Sequence, residues 1–271
     1  MLIVILRGVM LSLASALFGI LLLLAFVLTY QINWPVAGIY RYDLLLAYTL
    51  IIQIFLVYFK LETPREVSVI AIFHIMAMVM ELFLTHPKIG SWHYPEQAVF
   101  RIENVPLFSG FMYSAVGSFI ARGLRLFDIS FTHFPNLIWV GLLAFSSYAN
   151  FFTKFFVPDI RNILFMMSII LFWQTKISIQ IHNKNNVRLG STKEYQLPFL
   201  PLLLFLAFLV WLAENIATFT NIWHYPSQEG LWHIIGWGKL GSWYLLLTLS
   251  LYLVLIVSGR TTTNRSNGFF K

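Results

Sequence analysis

The chain has 271 residues, 59% of them hydrophobic and 11% charged, with a net charge of +7 and no cysteine. A soluble domain carries about 25% charged residues, so this composition excludes a water-soluble globular protein and points to a polytopic membrane protein. The missing cysteine excludes disulfides, iron–sulfur clusters and thiolate metal sites. The basic residues lie between apolar runs, where they set topology and meet anionic headgroups; no basic domain or phosphate loop for nucleic acid is present.

A bilayer-spanning helix needs about 20 apolar residues. Eight runs qualify in chain order: 9–30, 41–60, 66–85, 105–124, 135–153, 160–177, 198–219 and 239–258. The first follows Arg7 and contains Ala14-Ser15-Ala16, but it is longer than a signal-peptide core and is predicted to be retained. The sixth and seventh are separated by a polar stretch, Gln180 to Gln196, that reads as a flexible loop, and a polar tail fills 260–271. The expectation is therefore all-α: one membrane helical bundle over 1–259. Twelve of the 18 basic residues fall on the side holding both termini, which places the termini in the cytoplasm. Arg122 and Arg125, at the end of the fourth run, read as headgroup anchors.

Within these runs one pattern occurs twice. Trp92-His93-Tyr94-Pro95 follows a run ending near Glu81, and Trp223-His224-Tyr225-Pro226 follows a run ending near Glu214. Another apolar run comes after each, opening Pro106-Leu107-Phe108-Ser109 in the first case and Lys239-Leu240-Gly241-Ser242 in the second. The chain reads as two four-helix halves, 1–125 and 135–259, related as a parallel repeat.

Glu81 and Glu214 are the leading chemical residues, because an ionisable side chain within a span is costly and marks function by default. Desolvation favours the protonated acid, which donates or shares a proton. His93 and His224 in the repeated tetrapeptide would orient the acids or accept their protons. His74 lies seven residues before Glu81 on nearly the same helix face; it fits a proton relay, or a buried histidine bonded to a backbone carbonyl. Tyr94, Tyr225, Ser109 and Tyr113 surround the acids in sequence and offer hydroxyls to a ligand. Trp211 and Asn215 flank Glu214, with Asn215 equally suited to bonding a neighbouring helix. Gly110, Ser114 and Ser118, with Gly117 beside them, form a small-residue face for close helix approach. The loop histidines His86, His93, His224 and His233 could join the two glutamates in a carboxylate–histidine metal site, but they show none of its short spacings, and the sequence names no cofactor.

The runs Gly90-Ser91-Trp92-His93-Tyr94-Pro95-Glu96, Val105 to Tyr113, Trp211-Leu212-Ala213-Glu214-Asn215 and Lys239-Leu240-Gly241-Ser242-Trp243 resemble the YoaT-like family of bacterial integral membrane proteins. That family is of unknown function, so the resemblance implies a membrane location and a single domain but no catalytic residue. A shorter likeness, limited to Tyr94 and Val105-Pro106-Leu107, is to membrane carotenoid hydratases and cyclases, and implies a lipid-like substrate. Two function classes follow: a membrane-embedded acid–base enzyme on a lipid or isoprenoid-like ligand, and a proton-coupled transporter or exporter. Membrane lipids are the expected partners.

Overall fold

The computed structural model describes residues 2–181 and 193–259. The helices among them are α1 (Leu2–Ser15), α2 (Leu17–Tyr30), α3 (Arg41–Tyr58), α4 (Pro64–Leu84), α5 (Ser109–Leu126), α6 (Leu137–Thr153), α7 (Arg161–Phe172), α8 (Phe199–Phe219) and α9 (Gly238–Ser258). Of these, α3, α4, α8 and α9 are long and apolar enough to cross a membrane, and a fifth span results if α1 and α2, bent by 70° at their break, count as one. The apolar helices α6 and α7 are shorter, and α5 carries Arg122 and Arg125 beside its serine–glycine face.

Local sequence sets several of the helix ends. Thr63 caps α4 by accepting from the Glu66 amide at 3.3 Å, while Glu66 accepts from the Thr63 amide at 2.7 Å. Pro64 occupies the first turn, where its missing N–H is not needed. Asn136 Oδ1 accepts from the Ile138 amide at 2.9 Å to start α6. Gly259 closes α9 in the left-handed conformation at φ 62°.

Connections gather alternately at two ends of the bundle. One end holds the turns that follow α2, α4, α6 and α8. There Arg41 joins the C-terminus of α2 to Thr220 and Glu96. The other end holds the turns after α3, α5 and α7. Its short strands β3 (Ser130–Thr132), β4 (Lys176–Ile181) and β5 (Lys193–Pro198) form an antiparallel sheet in that order. A further two-residue pair, β1 (Arg101–Ile102) with β2 (Val105–Pro106), leads into α5. Since α4 has 21 residues, the ends are roughly 30 Å apart at 1.5 Å per residue.

The sheet corrects the reading of Gln180 to Gln196 as loop throughout. Residues 176–181 and 193–198 are paired strands, because a polar alternating segment satisfies its backbone by pairing across a turn. The middle of that stretch, 182–192, and the polar tail, 260–271, lie outside the described residues. Arg122 and Arg125 also differ from expectation. Arg125 bonds Glu66 through Nε at 2.8 Å and Nη2 at 3.1 Å, and Arg122 is buried with Nη1 3.8 Å from Glu62. Two acids at the start of α4 face them, so ion pairing between helices replaces contact with headgroups.

The small face of α5 packs against α4. At Gly110, an added Cβ would stand 2.5 Å from Nδ1 of His74, and at Gly117 one would stand 2.9 Å from the Phe73 ring. Ser114 Oγ donates to the carbonyl of Ile70 at 2.9 Å. Removing side-chain bulk lets the two backbones approach and leaves room for the histidine ring.

Candidate functional site

The two Trp-His-Tyr-Pro segments meet. His93 and His224 exchange both backbone hydrogen bonds, each 2.9 Å, in an antiparallel bridge. Their imidazole rings lie 5.9 Å apart, at 86°. Beside this bridge Trp92 and Tyr94 reach Glu81, and Tyr225 reaches Glu214.

Glu81 lies on the last turn of α4 and is 1% exposed. Its Oε2 accepts from the Trp92 indole at 2.8 Å and from the Tyr94 hydroxyl at 2.9 Å, and its Oε1 accepts from the Tyr113 hydroxyl of α5 at 2.8 Å. Glu214, on α8, is 3% exposed. The Tyr225 hydroxyl donates to its Oε1, and the Trp243 indole of α9 donates to its Oε2 at 2.7 Å. Each acid thus takes one tyrosine from its own cap and one aromatic donor from the following helix. These partners also cross between halves: Trp92 meets Tyr225 edge-on at 6.0 Å, and Tyr113 lies 6.2 Å from Trp243.

Burial, and after it the adjacent carboxylate, holds the Tyr94 and Tyr225 phenols well above their ordinary value. Both therefore remain protonated donors at neutral pH. Lys239 donates to the Tyr225 oxygen at 2.8 Å, and its ammonium sits 4.2 Å from the centre of that ring and 5.3 Å from the Trp92 ring. The result is a chain Lys239–Tyr225–Glu214.

Both glutamates line one cavity of about 320 Å³, within the usual range for small-ligand sites of about 300–1,000 Å³. Its polar end carries Glu81, Glu214, Tyr113, Tyr225, Lys154 and Lys239. The rest is apolar, walled by Leu23 and Phe26 of α2, Met112 and Val116 of α5, and Leu209 and Val210 of α8.

The other residues singled out by sequence lie around this centre. Tyr94 reaches Glu81 but lines a second, smaller cavity of about 190 Å³ together with His93, Tyr42 and Glu96. Ser109 is buried, with Oγ 3.5 Å from Met78 Sδ. His74 packs against Phe111, rings 4.6 Å apart, and its buried Nδ1 has no hydrogen-bond partner among the described residues. Trp211 and Asn215 face the turn before α9. The Trp211 indole donates to Ile235 O at 3.2 Å, and Asn215 Oδ1 accepts from the Ile235 amide at 2.8 Å. His93 Nδ1 is 3.9 Å from Glu229, and His233 bonds backbone carbonyls of Ser227 and Ile234.

Sequence reasoning did not single out Trp92, Trp243, Lys239 or Lys154 as site residues. The first was within reach, because an indole N–H is a donor that needs a partner when buried and this one stands in the repeated tetrapeptide. Lys154 follows α6 and reaches the cavity only through tertiary packing, for which no local pattern exists.

The model of a family described as protein of unknown function, DUF817, matches residues 5–251. The chain belongs to this family. It is also similar to the uncharacterized protein YoaT of Bacillus subtilis (strain 168), 38% identical over 220 residues, which are 81% of this chain and 79% of that protein. No solved structure matches. The matched span includes both tetrapeptides, both glutamates and every described residue that lines the cavity.

Proposed function

We propose that this chain is a membrane-embedded acid–base enzyme acting on a lipid or isoprenoid-like substrate, with Glu81 and Glu214 as its proton-transferring pair. The observation that carries the reading is that two buried carboxylates from separate halves line a single cavity with apolar walls. One carboxyl, in its protonated form, adds a proton to a double bond of the substrate. The other, ionised, removes a proton from a neighbouring carbon. The net change is a moved double bond or a closed ring, with no change in oxidation state. Tyr225, held between Glu214 and Lys239, positions Glu214, and exchange of protons with water restores the donor carboxyl and discharges the acceptor. His93 and His224 hold the two caps together.

The same reading takes the eight helical runs as eight crossings of a bacterial inner membrane, with both termini in the cytoplasm and the two halves a duplication. Supporting it are the alternation of connections between the two ends and the matching glutamate-to-cap hydrogen bonds. The test is a lipid-extract comparison by mass spectrometry of cells grown in D₂O, expressing the wild type or a Glu81→Gln/Glu214→Gln double variant. A lipid species whose amount or deuterium content depends on the carboxyls is expected. Identical extracts, with both proteins folded in the membrane, would remove the enzyme reading. A proton-coupled transporter or exporter is the second reading, favoured by the 70° break between α1 and α2, where Ala16 and Gly19 line the cavity. Solute flux driven by a proton gradient in liposomes distinguishes it.

A further inference from the structure

The cavity holds charges of both signs, but the lysines and glutamates meet through Tyr225 or at a distance and not in direct contact. Glu81 is occupied by three neutral donors and Glu214 by two. Among the described residues, no carboxylate forms an ion pair with Lys154 or Lys239. Lys154 instead rests over the rings of Phe151 and Phe155, at 5.8 and 5.0 Å. Arg161, which also lines the cavity, is taken up by Asp159 at 2.8 Å. Two half-buried ammonium groups therefore stand at one end of an apolar chamber with acids near them but, among the described residues, none in direct ion-pair contact, while the acids themselves are satisfied by phenols and indoles.

We propose that Lys154 and Lys239 seat the head of a net-anionic amphiphile, a phosphodiester or carboxylate without a balancing cation, whose apolar tail lies along Leu23, Phe26, Met112 and Val116. This rests on the cavity being the ligand site of the proposed function and adds the chemical class of the ligand. The chamber is too apolar over most of its wall for a free inorganic ion to use. An oxyanion between two ammonium groups gains charge-assisted hydrogen bonds in surroundings of low dielectric. Burial first, and then repulsion from Lys239 and Arg161, brings Lys154 down to about 8. That is chiefly the cost of burying the cation, which a bound anionic head offsets.

The experiment uses the full chain in phosphatidylcholine nanodiscs doped with phosphatidylglycerol, palmitate or neutral diacylglycerol, with retained lipid read by native mass spectrometry. Retention of phosphatidylglycerol or palmitate over diacylglycerol is expected. Lys154→Gln should weaken it roughly tenfold or more, the loss of one charge-assisted bond, and Lys154→Arg should preserve it. Lys154 takes no part in the hydrogen bonds around the acids, so its variants leave the fold intact. Retention should also fall as pH rises above about 8, where Lys154 loses its charge. Equal retention of diacylglycerol, or unchanged retention in both Lys154→Gln and Lys239→Gln, overturns the proposal. So does binding of inorganic phosphate in undoped nanodiscs without binding of either anionic lipid. The Glu81→Gln/Glu214→Gln variant should keep the lipid. Binding without any carboxyl-dependent lipid product then counts against the enzyme reading alone, and loss of binding in the lysine variants leaves the headgroup seat standing.

Discussion

Replacing Glu81 by leucine removes one acceptor and strands three donors, the Trp92 indole and the Tyr94 and Tyr113 hydroxyls. A buried donor left without a partner costs about 1–3 kcal/mol, so three give roughly 3–9 kcal/mol. The adjoining cavity admits water to at least Tyr113 and Trp92, both of which line it, and this brings the cost toward the lower end, about 3 kcal/mol. For a chain of this size 1 kcal/mol shifts the melting midpoint by about 2–4 °C, so Glu81→Leu should melt some 6–12 °C below the wild type in mild detergent. Tyr113→Phe deletes one donor and leaves the carboxylate two, so its loss should be about 1 kcal/mol. Intrinsic tryptophan fluorescence during heating measures both, since Trp92 is itself a donor to the acid. If Glu81→Leu melts within 2–3 °C of the wild type, or Tyr113→Phe costs as much as Glu81→Leu, the acid is not the hub of this network.

Two further perturbations test the packing and the cap. Gly110→Ala would place its Cβ 2.5 Å from His74 Nδ1 and should cost about 1–3 kcal/mol as an overpacked contact; a second change, His74→Ala, should recover most of that loss, and a double-mutant cycle showing no coupling would refute the contact. The His224 imidazole is lowered from 6.5, first by burial and then by His93. The unfolded chain therefore binds that proton at higher pH than the folded one, and stability should fall as pH drops through 6.5 and below. His224→Asn should flatten the acid limb of a stability-against-pH curve, and an unchanged limb would refute the assignment.

Much of the helix layout was legible in the chain because apolar runs mark it: each run picked out in the sequence overlaps a helix of the structure, although only four of the eight, or five with the bent pair, are long and apolar enough to cross a membrane. The exceptions have physical causes. Residues 9–30 span a break near Ala16 that no proline marks, so hydropathy passes over it. The run 160–177 counted Trp173 to Ile177 as helix, but Thr175 donates to His133 O at 3.0 Å and Lys176 begins a strand; an apolar segment of that length is equally at home in a sheet. The site was legible in part. Glu81, Glu214, Tyr94, Tyr113 and Tyr225 stand out as polar groups in apolar surroundings and do converge. That His93 bonds His224 through the backbone was beyond reach, because two distant segments pair through groups every residue possesses. Lys154 and Arg161 were counted only as topology charges, since sequence spacing says nothing about which loops share an end of the bundle.

The bridge between the two caps is near-symmetric, but what surrounds it is not. Pro106 stands in the first half where Lys239 stands in the second, and Lys154 also belongs to the second half. A symmetric frame would accept a ligand in either of two directions. Here the cavity's lysines and its arginine all come from the second half of the sequence, Lys154, Arg161 and Lys239, while α2 and α5 contribute only uncharged residues to its lining. The chamber therefore has a polarity of its own. It distinguishes the head of a molecule from its tail, and so presents the two carboxyls to different atoms of anything lying between them.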